Sequence, residues 1–279
     1  MSVRVPALRE VRAVVLDTDG VITDSARLHA AAWQGAFDGF LREHPPADPA
    51  KRRPFDPVGD YLRYVDGRSR ADGAVAFLAS RGPRPSDRAV AAVAADKERR
   101  FTALLRERGA PAYPGTVRLL EALRGTGAPL AAASSSRHAR DLLAAAGVLE
   151  LFDAVVDGTE VDRLGLPGKP DPALFEEAAR RLGVPAGRCA VVEDALAGVE
   201  AARRGGFGLV VGVDRAAGPG SGDALRRRGA DIVVRDLAEL LPDSPGPPPP
   251  PAPPRRPERP ERPDTTGPTG LAGEGRGRP

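Results

Sequence analysis

The sequence has a single cysteine, few aromatic residues and no long hydrophobic run. Because Cys189 has no second cysteine to pair with, the chain forms no internal disulfide, which is typical of a reducing compartment, and we expect Cys189 to be a buried structural thiol. With 4% aromatic residues and no cluster of lysine and arginine, the chain lacks the stacking and basic surfaces of nucleic-acid-binding proteins. It also lacks a signal-peptide segment and an apolar stretch long enough to cross a membrane. We therefore expect a cytoplasmic protein that binds neither nucleic acid nor membranes.

The remaining composition is that of a globular protein, except at the C-terminal end. Hydrophobic residues make up 41% of the 279 residues, and the formal net charge is +3, with both signs spread along the chain. In residues 242–279, proline, glycine and charged residues replace the apolar periodicity. Such a segment cannot bury enough apolar surface to offset its ordering entropy, so we expect a disordered, proline-rich tail.

Short apolar segments alternate with helical patterns before this tail. The segments predicted as strands are residues 12–17, 129–134, 154–157, 189–193, 209–213 and 231–234. One helix between them is well marked, with Asp171 as its predicted N-cap, Pro172 as its first residue and Gly183 after its end. This alternation predicts an α/β fold with a doubly wound parallel sheet.

One long stretch interrupts the alternation. Residues 28–108 contain three helical patterns and no convincing strand, which predicts an all-helical insertion after the first strand. We expect a core formed by residues 1–27 and 109–241 and an inserted helical cap formed by residues 28–108. The two ends of the insertion should lie side by side, where they can act as hinges.

The first strand ends in the segment Leu16-Asp17-Thr18-Asp19-Gly20. Two carboxylates in this D-x-D pattern are most often explained by a turn or a helix cap. Here, however, they follow a buried strand, and ligands of open α/β sheets bind beyond the carboxyl ends of the strands. Asp17 and Asp19 are therefore candidate catalytic residues.

Polar side chains follow other predicted strands and loops in the same way. Ser134 follows the second strand, Lys169 lies between a glycine and a proline, and Glu193 and Asp194 end another strand. Carboxylate oxygens select Mg²⁺, whereas a hydroxyl, backbone amides and an ammonium group suit phosphoryl oxygens. The pattern predicts phosphoryl transfer, with one aspartate as the nucleophile and the other moving the proton.

Together the four motifs resemble those of the haloacid dehalogenase superfamily, over roughly residues 10 to 241. Within it, DTDGVITDSARLHAAAW, SSSR, GKPDPALF and VVEDALAGVEAARRGG are similar to the β-phosphoglucomutase-like subfamily. The resemblance implies a Rossmann-like core with a helical cap, Mg²⁺ as the cofactor and a sugar phosphate as the substrate. It also implies that Asp17 is the phosphorylated nucleophile and Asp19 the general acid and base.

The resemblance further implies roles for the other candidate residues. Mg²⁺ would be held by Asp17, the backbone carbonyl of Asp19, Glu193 and Asp194, and the transferring phosphate by Ser134 and Lys169. A second phosphate of the substrate would contact Arg70, Ser136, Arg137 and His138, while His29, Trp33 and Lys97 would line the cap side of the site. Taken alone, His29, Arg70 and Trp33 are explained equally well as packing or surface residues.

The sequence departs from the mutase pattern at several positions. Thr18 replaces the usual apolar residue between the aspartates, and Gly73 differs after Arg70. His138 and Glu98 stand where asparagine is usual in the resembling mutases. These departures concern the choice of substrate rather than the phosphoryl chemistry.

Three functions follow from these observations. The first is a mutase that interconverts β-glucose 1-phosphate and glucose 6-phosphate through a bisphosphate, and the second is a phosphatase acting on a small sugar or polyol phosphate. The third is a non-catalytic scaffold that uses the proline-rich tail, which the presence of both aspartates disfavours. We expect the mutase, acting as a monomer.

Overall fold

The computed structural model describes residues 8–215 and 220–242, and its centre is a six-stranded parallel sheet. The strands are β1 (Ala13–Leu16), β2 (Leu130–Ala133), β3 (Ala154–Val156), β4 (Cys189–Glu193), β5 (Leu209–Val213) and β6 (Ile232–Val234). All six predicted strands are present, with ends that differ by at most one residue. The predicted tail, residues 242–279, lies outside the described residues apart from Pro242.

The strand order is β3-β2-β1-β4-β5-β6, which confirms the predicted doubly wound sheet. Strand β1 pairs with β2 on one side and with β4 on the other, and Val15 lies opposite both Ala131 and Val191. The chain therefore reverses its winding direction at β1. Ligands bind at this switch point in open α/β sheets, beyond the carboxyl ends of the strands.

Three helices lie between β1 and the next core helix, as the sequence predicts. They are α1 (Ala26–Glu43), α2 (Arg70–Arg81) and α3 (Asp87–Arg108), with a short 3₁₀ turn at Pro49–Lys51 and a π-helical turn at Tyr61–Val65. Their apolar faces form a cluster of their own, which includes Phe37, Phe55 and Phe77. This separate cluster shows a helical cap beside the Rossmann-like core.

The entry and exit of the cap lie side by side, as predicted. The Asp24 backbone N–H donates to Pro111 O at 3.0 Å, and the Tyr113 N–H donates to Ile22 O at 2.9 Å. These bonds join the two connections in an antiparallel manner, so both ends of the cap leave the core at one place.

The remaining helices cover both faces of the sheet. They are α4 (Pro114–Thr126), α5 (Ala139–Ala145), α6 (Gly158–Leu164), α7 (Ala173–Leu182), α8 (Leu196–Arg204) and α9 (Ser221–Arg228), with 3₁₀ turns at Leu149–Leu151, Ala186–Arg188 and Leu237–Leu240. In β1, Val14 and Leu16 pack into one apolar cluster and Ala13 and Val15 into the other. Because both faces are covered, the strand is a continuous apolar run rather than an alternating one.

The predicted start of α7 is wrong by one residue. The helix begins at Ala173, Pro172 occupies the N-cap position, and Asp171 Oδ1 accepts a hydrogen bond from the Ala173 N–H at 3.0 Å. The aspartate therefore forms a local turn with the amide two residues ahead, which delays the first helical turn. The predicted end is confirmed, because Gly183 adopts a left-handed conformation with φ +67°.

Cys189 is fully buried at the start of β4, as predicted. Burial raises the pKa of its thiol to about 11. Within residues 8–215 and 220–242, the helices lack the combination of length and hydropathy that a membrane span requires.

Candidate active site

A sharp turn places the two aspartates at the carboxyl end of β1. The Asp17 N–H donates to Val192 O at 2.9 Å, which holds the end of β1 against β4. Three residues beyond Asp17, the chain must turn at Gly20, whose φ is +79°. A Cβ atom there would lie 1.9 Å from Asp194 Oδ2, so only glycine permits this approach.

Lys169 lies between two carboxylates at the centre of the site. Its Nζ is 2.5 Å from Asp17 Oδ1 and 3.3 Å from Glu193 Oε1. All three side chains are buried. Burial alone would lower the pKa of Lys169, but the charges of Asp17 and Glu193 outweigh it and raise the pKa above its ordinary value. The lysine is therefore a permanent cation beside the candidate nucleophile.

Three carboxylates form a compact acidic cluster that one lysine cannot neutralise. Oxygen atoms of Asp17, Glu193 and Asp194 lie within 4.8 Å of one another. The pKa of each of these carboxyl groups is raised, first by burial and then by the other negative charges. Hard oxygen donors held this close suit Mg²⁺, whose charge would relieve the repulsion. The acidic cluster therefore fits the divalent cation that the sequence predicts.

Asp19 points toward the cap rather than toward the acidic cluster. Its Oδ1 lies 3.1 Å from His29 Nε2 and accepts a hydrogen bond from the Ser25 hydroxyl, and the Ser134 hydroxyl lies 3.3 Å from its Oδ2. Burial alone would raise the pKa of Asp19, but the interactions with His29 and Ser25 lower it below its ordinary value. Asp19 is therefore ionised at neutral pH.

His29 connects Asp19 to Lys97 of the cap. Lys97 Nζ lies 2.9 Å from His29 Nδ1, and the His29 ring stacks on Phe101 with centroids 4.0 Å apart. Burial and the nearby Lys97 lower the pKa of His29, and burial lowers that of Lys97 to about 8. Because an ammonium group only donates, Nδ1 accepts and the Nε2–H donates to Asp19.

The serine residues of the loop after β2 line the same cavity as the two aspartates. The Ser136 N–H donates to Ser134 Oγ at 3.0 Å, and the His138 N–H donates to Ser136 Oγ at 3.3 Å. The loop lies against the start of α6, where a Cβ atom on Gly158 would be 2.5 Å from Ser135 O. This arrangement holds Ser134 opposite the two aspartates.

Two of the residues predicted to bind a second phosphate share one acidic partner. Arg70 Nη1 and Glu98 Oε2 form an ion pair, and His138 Nε2 donates to Glu98 Oε1 at 2.6 Å. The hydrogen bond from His138, together with the charge of Arg70, lowers the pKa of Glu98 to about 2. Arg137 is half-exposed and pairs with Asp162 instead.

All of the candidate residues line one cavity of about 280 Å³ between the core and the cap. They are Asp17, Asp19, His29, Trp33, Arg70, Lys97, Ser134, Ser136, Arg137, His138, Lys169, Glu193 and Asp194. Trp33 also stacks on Phe37 in the cap, with centroids 4.8 Å apart, so it belongs to both the wall and the cap packing. Their assigned roles remain predictions.

The cavity also contains residues that the sequence argument missed. Asp66 lines it from the cap, and burial together with the charge of Asp17 raises its pKa to about 7. In the sequence, the Asp66-Gly67 pair predicts only a turn, so it does not identify Asp66 as a site residue. Ser25, which donates to Asp19, occupies the N-cap position just before α1, where serine is a common residue.

The chain belongs to the haloacid dehalogenase-like hydrolase family, whose model matches residues 11–206. It is 43% identical over 241 residues to the β-phosphoglucomutase of Mycobacterium bovis, covering 83% of this chain and 92% of that protein. The β-phosphoglucomutase of Bacillus subtilis is 32% identical over 233 residues, covering 82% and 92%. The protein is accordingly an enzyme of the phosphotransferase and phosphatase type.

A solved structure supports the same relationship. The chain is similar to a haloacid dehalogenase family hydrolase from Deinococcus radiodurans with bound phosphate and sodium, at 32% identity and a TM-score of 0.58. The alignment covers 83% of this chain and 93% of that one. The resemblance stated from the motifs is therefore confirmed at the level of the family and its β-phosphoglucomutase-like members.

Proposed function

We propose that the protein is a Mg²⁺-dependent β-phosphoglucomutase that converts β-glucose 1-phosphate to glucose 6-phosphate through an aspartyl phosphate on Asp17. The observation that carries the proposal is the meeting of Asp17, Asp19, Lys169 and the acidic cluster in one cavity covered by the cap. The names of the mycobacterial and Bacillus relatives agree with it.

In this proposal Asp17 attacks the phosphorus atom of the substrate. Lys169 fixes the Asp17 carboxylate and, with Ser134, binds the transferring phosphate. Asp17, the Asp19 backbone carbonyl, Glu193 and Asp194 would hold Mg²⁺, which would supply the positive charge that lets two anions approach. The phosphorus–oxygen bond of the substrate breaks as the bond to Asp17 forms.

Asp19 donates a proton to the sugar oxygen or accepts one from it. When Asp17 is phosphorylated, the protonated form of Asp19 donates its proton to the sugar oxygen that leaves phosphorus. When the phosphoryl group is transferred from Asp17 to a sugar hydroxyl, the Asp19 carboxylate accepts the proton of that hydroxyl. The Lys97–His29–Asp19 chain joins this group to the cap, so that closing the cap orients Asp19. We treat residues 28–108 as the moving cap and residues 1–27 and 109–241 as the fixed core.

Cap closure decides between transfer to sugar and transfer to water. A closed cap excludes water from the aspartyl phosphate, which favours the mutase. The second candidate is a phosphatase of a small sugar or polyol phosphate, and the Glu98 pairing favours it, because Arg70 and His138 are already neutralised by a carboxylate.

The experiment that tests the proposal follows both products in one reaction. Protein, Mg²⁺ and β-glucose 1-phosphate, primed with a trace of glucose 1,6-bisphosphate, are assayed for glucose 6-phosphate and free phosphate together. Glucose 6-phosphate without free phosphate is the expected result, whereas free phosphate with little isomer indicates the phosphatase. Asp17→Asn is the control and should lose both products by about a thousandfold or more.

A further inference from the structure

Glu98 pairs with one basic group on each side of the cavity, Arg70 and His138. Its Oε2 pairs with Arg70 Nη1 of α2, and its Oε1 accepts the His138 Nε2–H at 2.6 Å. Arg70 belongs to the cap and His138 to the loop after β2, so one carboxylate joins the two sides of the cavity. Only about a third of the Glu98 side chain is exposed.

An anion that binds Arg70 Nη1 and His138 Nε2 competes with this carboxylate for the same donors. A phosphate and a carboxylate use the same geometry on a guanidinium group, so the two compete directly for Arg70. The competing group is attached to the protein and is therefore present at a high effective concentration. The displaced Glu98 would also lie beside the incoming phosphate, where like charges repel.

We propose that Glu98 is a specificity-determining residue that weakens binding of ligands carrying a second phosphate. It does so by competing for Arg70 and His138, and it leaves the phosphate site at Ser134 and Lys169 unaffected. A ligand with one phosphate and a neutral polyhydroxyl end is favoured over a bisphosphate. This inference rests on the part of the proposed function that binds one phosphate beside Asp17. It favours the phosphatase candidate over the mutase, whose bisphosphate intermediate must bind at both ends of the cavity.

The test compares two probes by calorimetric titration in the presence of Mg²⁺. Orthophosphate reports on the core site alone, and glucose 1,6-bisphosphate reports on both ends of the cavity. All proteins carry Asp17→Asn, so the bisphosphate is not consumed. The matched control is Glu107→Gln, which removes the same charge from an exposed position on the same helix, α3.

The expected result is that Glu98→Gln tightens bisphosphate binding by about tenfold or more while orthophosphate binding changes less than about twofold. Adding Arg70→Gln should remove the gain, because the competition acts through Arg70. Glu107→Gln should change neither affinity. The orthophosphate titration also verifies that each variant retains a folded core site.

The inference is overturned if Glu98→Gln leaves bisphosphate binding unchanged or weaker, or if both probes tighten equally as a general charge effect would require. Failure of the proposed function is a separate observation, since it is measured on the protein with Asp17 intact. A protein that forms no product from β-glucose 1-phosphate can still show the Glu98 preference.

Discussion

At the scale of single residues, Thr18 separates the two aspartates in the chain and carries a buried hydroxyl. Its side chain is fully buried, and its hydroxyl oxygen has no hydrogen-bond partner within the described residues. A buried hydroxyl without a partner loses its hydration and gains nothing in return. The segment that carries the two aspartates therefore contains a small destabilising feature.

Thr18→Val should raise the free energy of unfolding by about 1 kcal/mol, because valine keeps the shape and removes the unpaired hydroxyl. The measurement is urea denaturation at pH 7. Thr116→Val is the matched control, since the Thr116 hydroxyl donates to Val21 O at 2.8 Å and its loss should destabilise by about as much. Equal destabilisation in both variants would contradict the argument.

Asp194 illustrates how the charge of the acidic cluster opposes folding. Its pKa is raised well above 3.8 by burial and by the negative charges around it. A raised folded-state pKa means that stability is greatest below the unfolded value and falls as the pH rises through the folded one. Near pH 7 without Mg²⁺, Asp194 therefore contributes repulsion rather than stability.

Asp194→Asn should raise the melting temperature of the metal-free protein at pH 7, because one of the repelling charges is removed. In saturating Mg²⁺ the wild type should have the higher melting temperature, because it gains stability from binding whereas the variant has lost a proposed ligand. Thermal unfolding with chelator and with Mg²⁺ measures both effects. If the variant melts at a lower temperature than the wild type in both conditions, the charge of Asp194 does not destabilise the metal-free protein.

At the scale of elements, α8 begins by packing directly on a carboxylate of the acidic cluster. A Cβ atom on Gly198 would lie 1.9 Å from Glu193 Oε1 and 2.2 Å from its Cδ. Glu193 is fully buried, so a methyl group at position 198 would push its carboxylate out of its present position. The glycine therefore helps to fix the position of Glu193 in the acidic cluster.

Gly198→Ala should raise the Mg²⁺ concentration for half-maximal activity by about tenfold, because Glu193 must shift. Gly125→Ala in α4 is the control, since a Cβ atom there meets nothing within 4 Å and should leave the Mg²⁺ requirement unchanged. Both are measured by Mg²⁺ titration of activity. If both variants need the same Mg²⁺ concentration as the wild type, Gly198 does not position Glu193.

The cap is held by a buried ion-pair network around the π-helical turn. Asp60 accepts hydrogen bonds from Arg81 Nη2 at 2.8 Å and from Arg53 Nη2 at 2.7 Å. Both Asp60 and Arg81 are buried. Burial alone would raise the pKa of Asp60, but the hydrogen bond from Arg53 and the nearby positive charges lower it below 3.8.

Asp60→Asn should cost about 3 kcal/mol of stability at pH 7, because Arg81 is left buried without its charge partner. Since the folded-state pKa is depressed, the contribution of Asp60 is present above 3.8 and is lost as the pH falls through the folded value. The difference from the wild type should therefore shrink in acid. Urea denaturation across this pH range measures it, with the exposed Asp56→Asn as the control.

At the scale of the whole molecule, the site is contained in the first 195 residues. The side chains that line the cavity lie between Asp17 and Ala195, and the family match ends at residue 206. The last turn of the described core, Leu237–Leu240, still packs against the sheet. A chain that ends after Pro242 therefore retains every described element.

Removal of residues 243–279 should leave kcat/KM within about twofold of the full-length value and the melting temperature unchanged. The assay is the same two-product reaction, performed on both proteins. A loss of turnover would show that the proline-rich segment takes part in function, as the scaffold hypothesis requires.

Much of this molecule was predictable from local sequence. The six strands follow from apolar runs, because a strand covered on both faces must be apolar throughout. The cap helices follow from their periodicity, and Asp17, Ser134 and Glu193 follow from their positions at strand ends. Each of these signals comes from a short stretch of the chain, where steric and hydrophobic preferences act directly.

The pairings inside the cavity were decided by tertiary structure. His29 and Lys97 are 68 positions apart, and Arg70 and Glu98 are 28 positions apart. From the sequence, Glu98 was recognised as a departure from the mutase pattern, but its contacts were not predicted. They depend on how α2, α3 and the loop after β2 pack together. The sequence by itself thus determined which chemical groups are present and at which strand ends. Only the packing of the cap on the core decided which charges meet, since burial and distance set their energies.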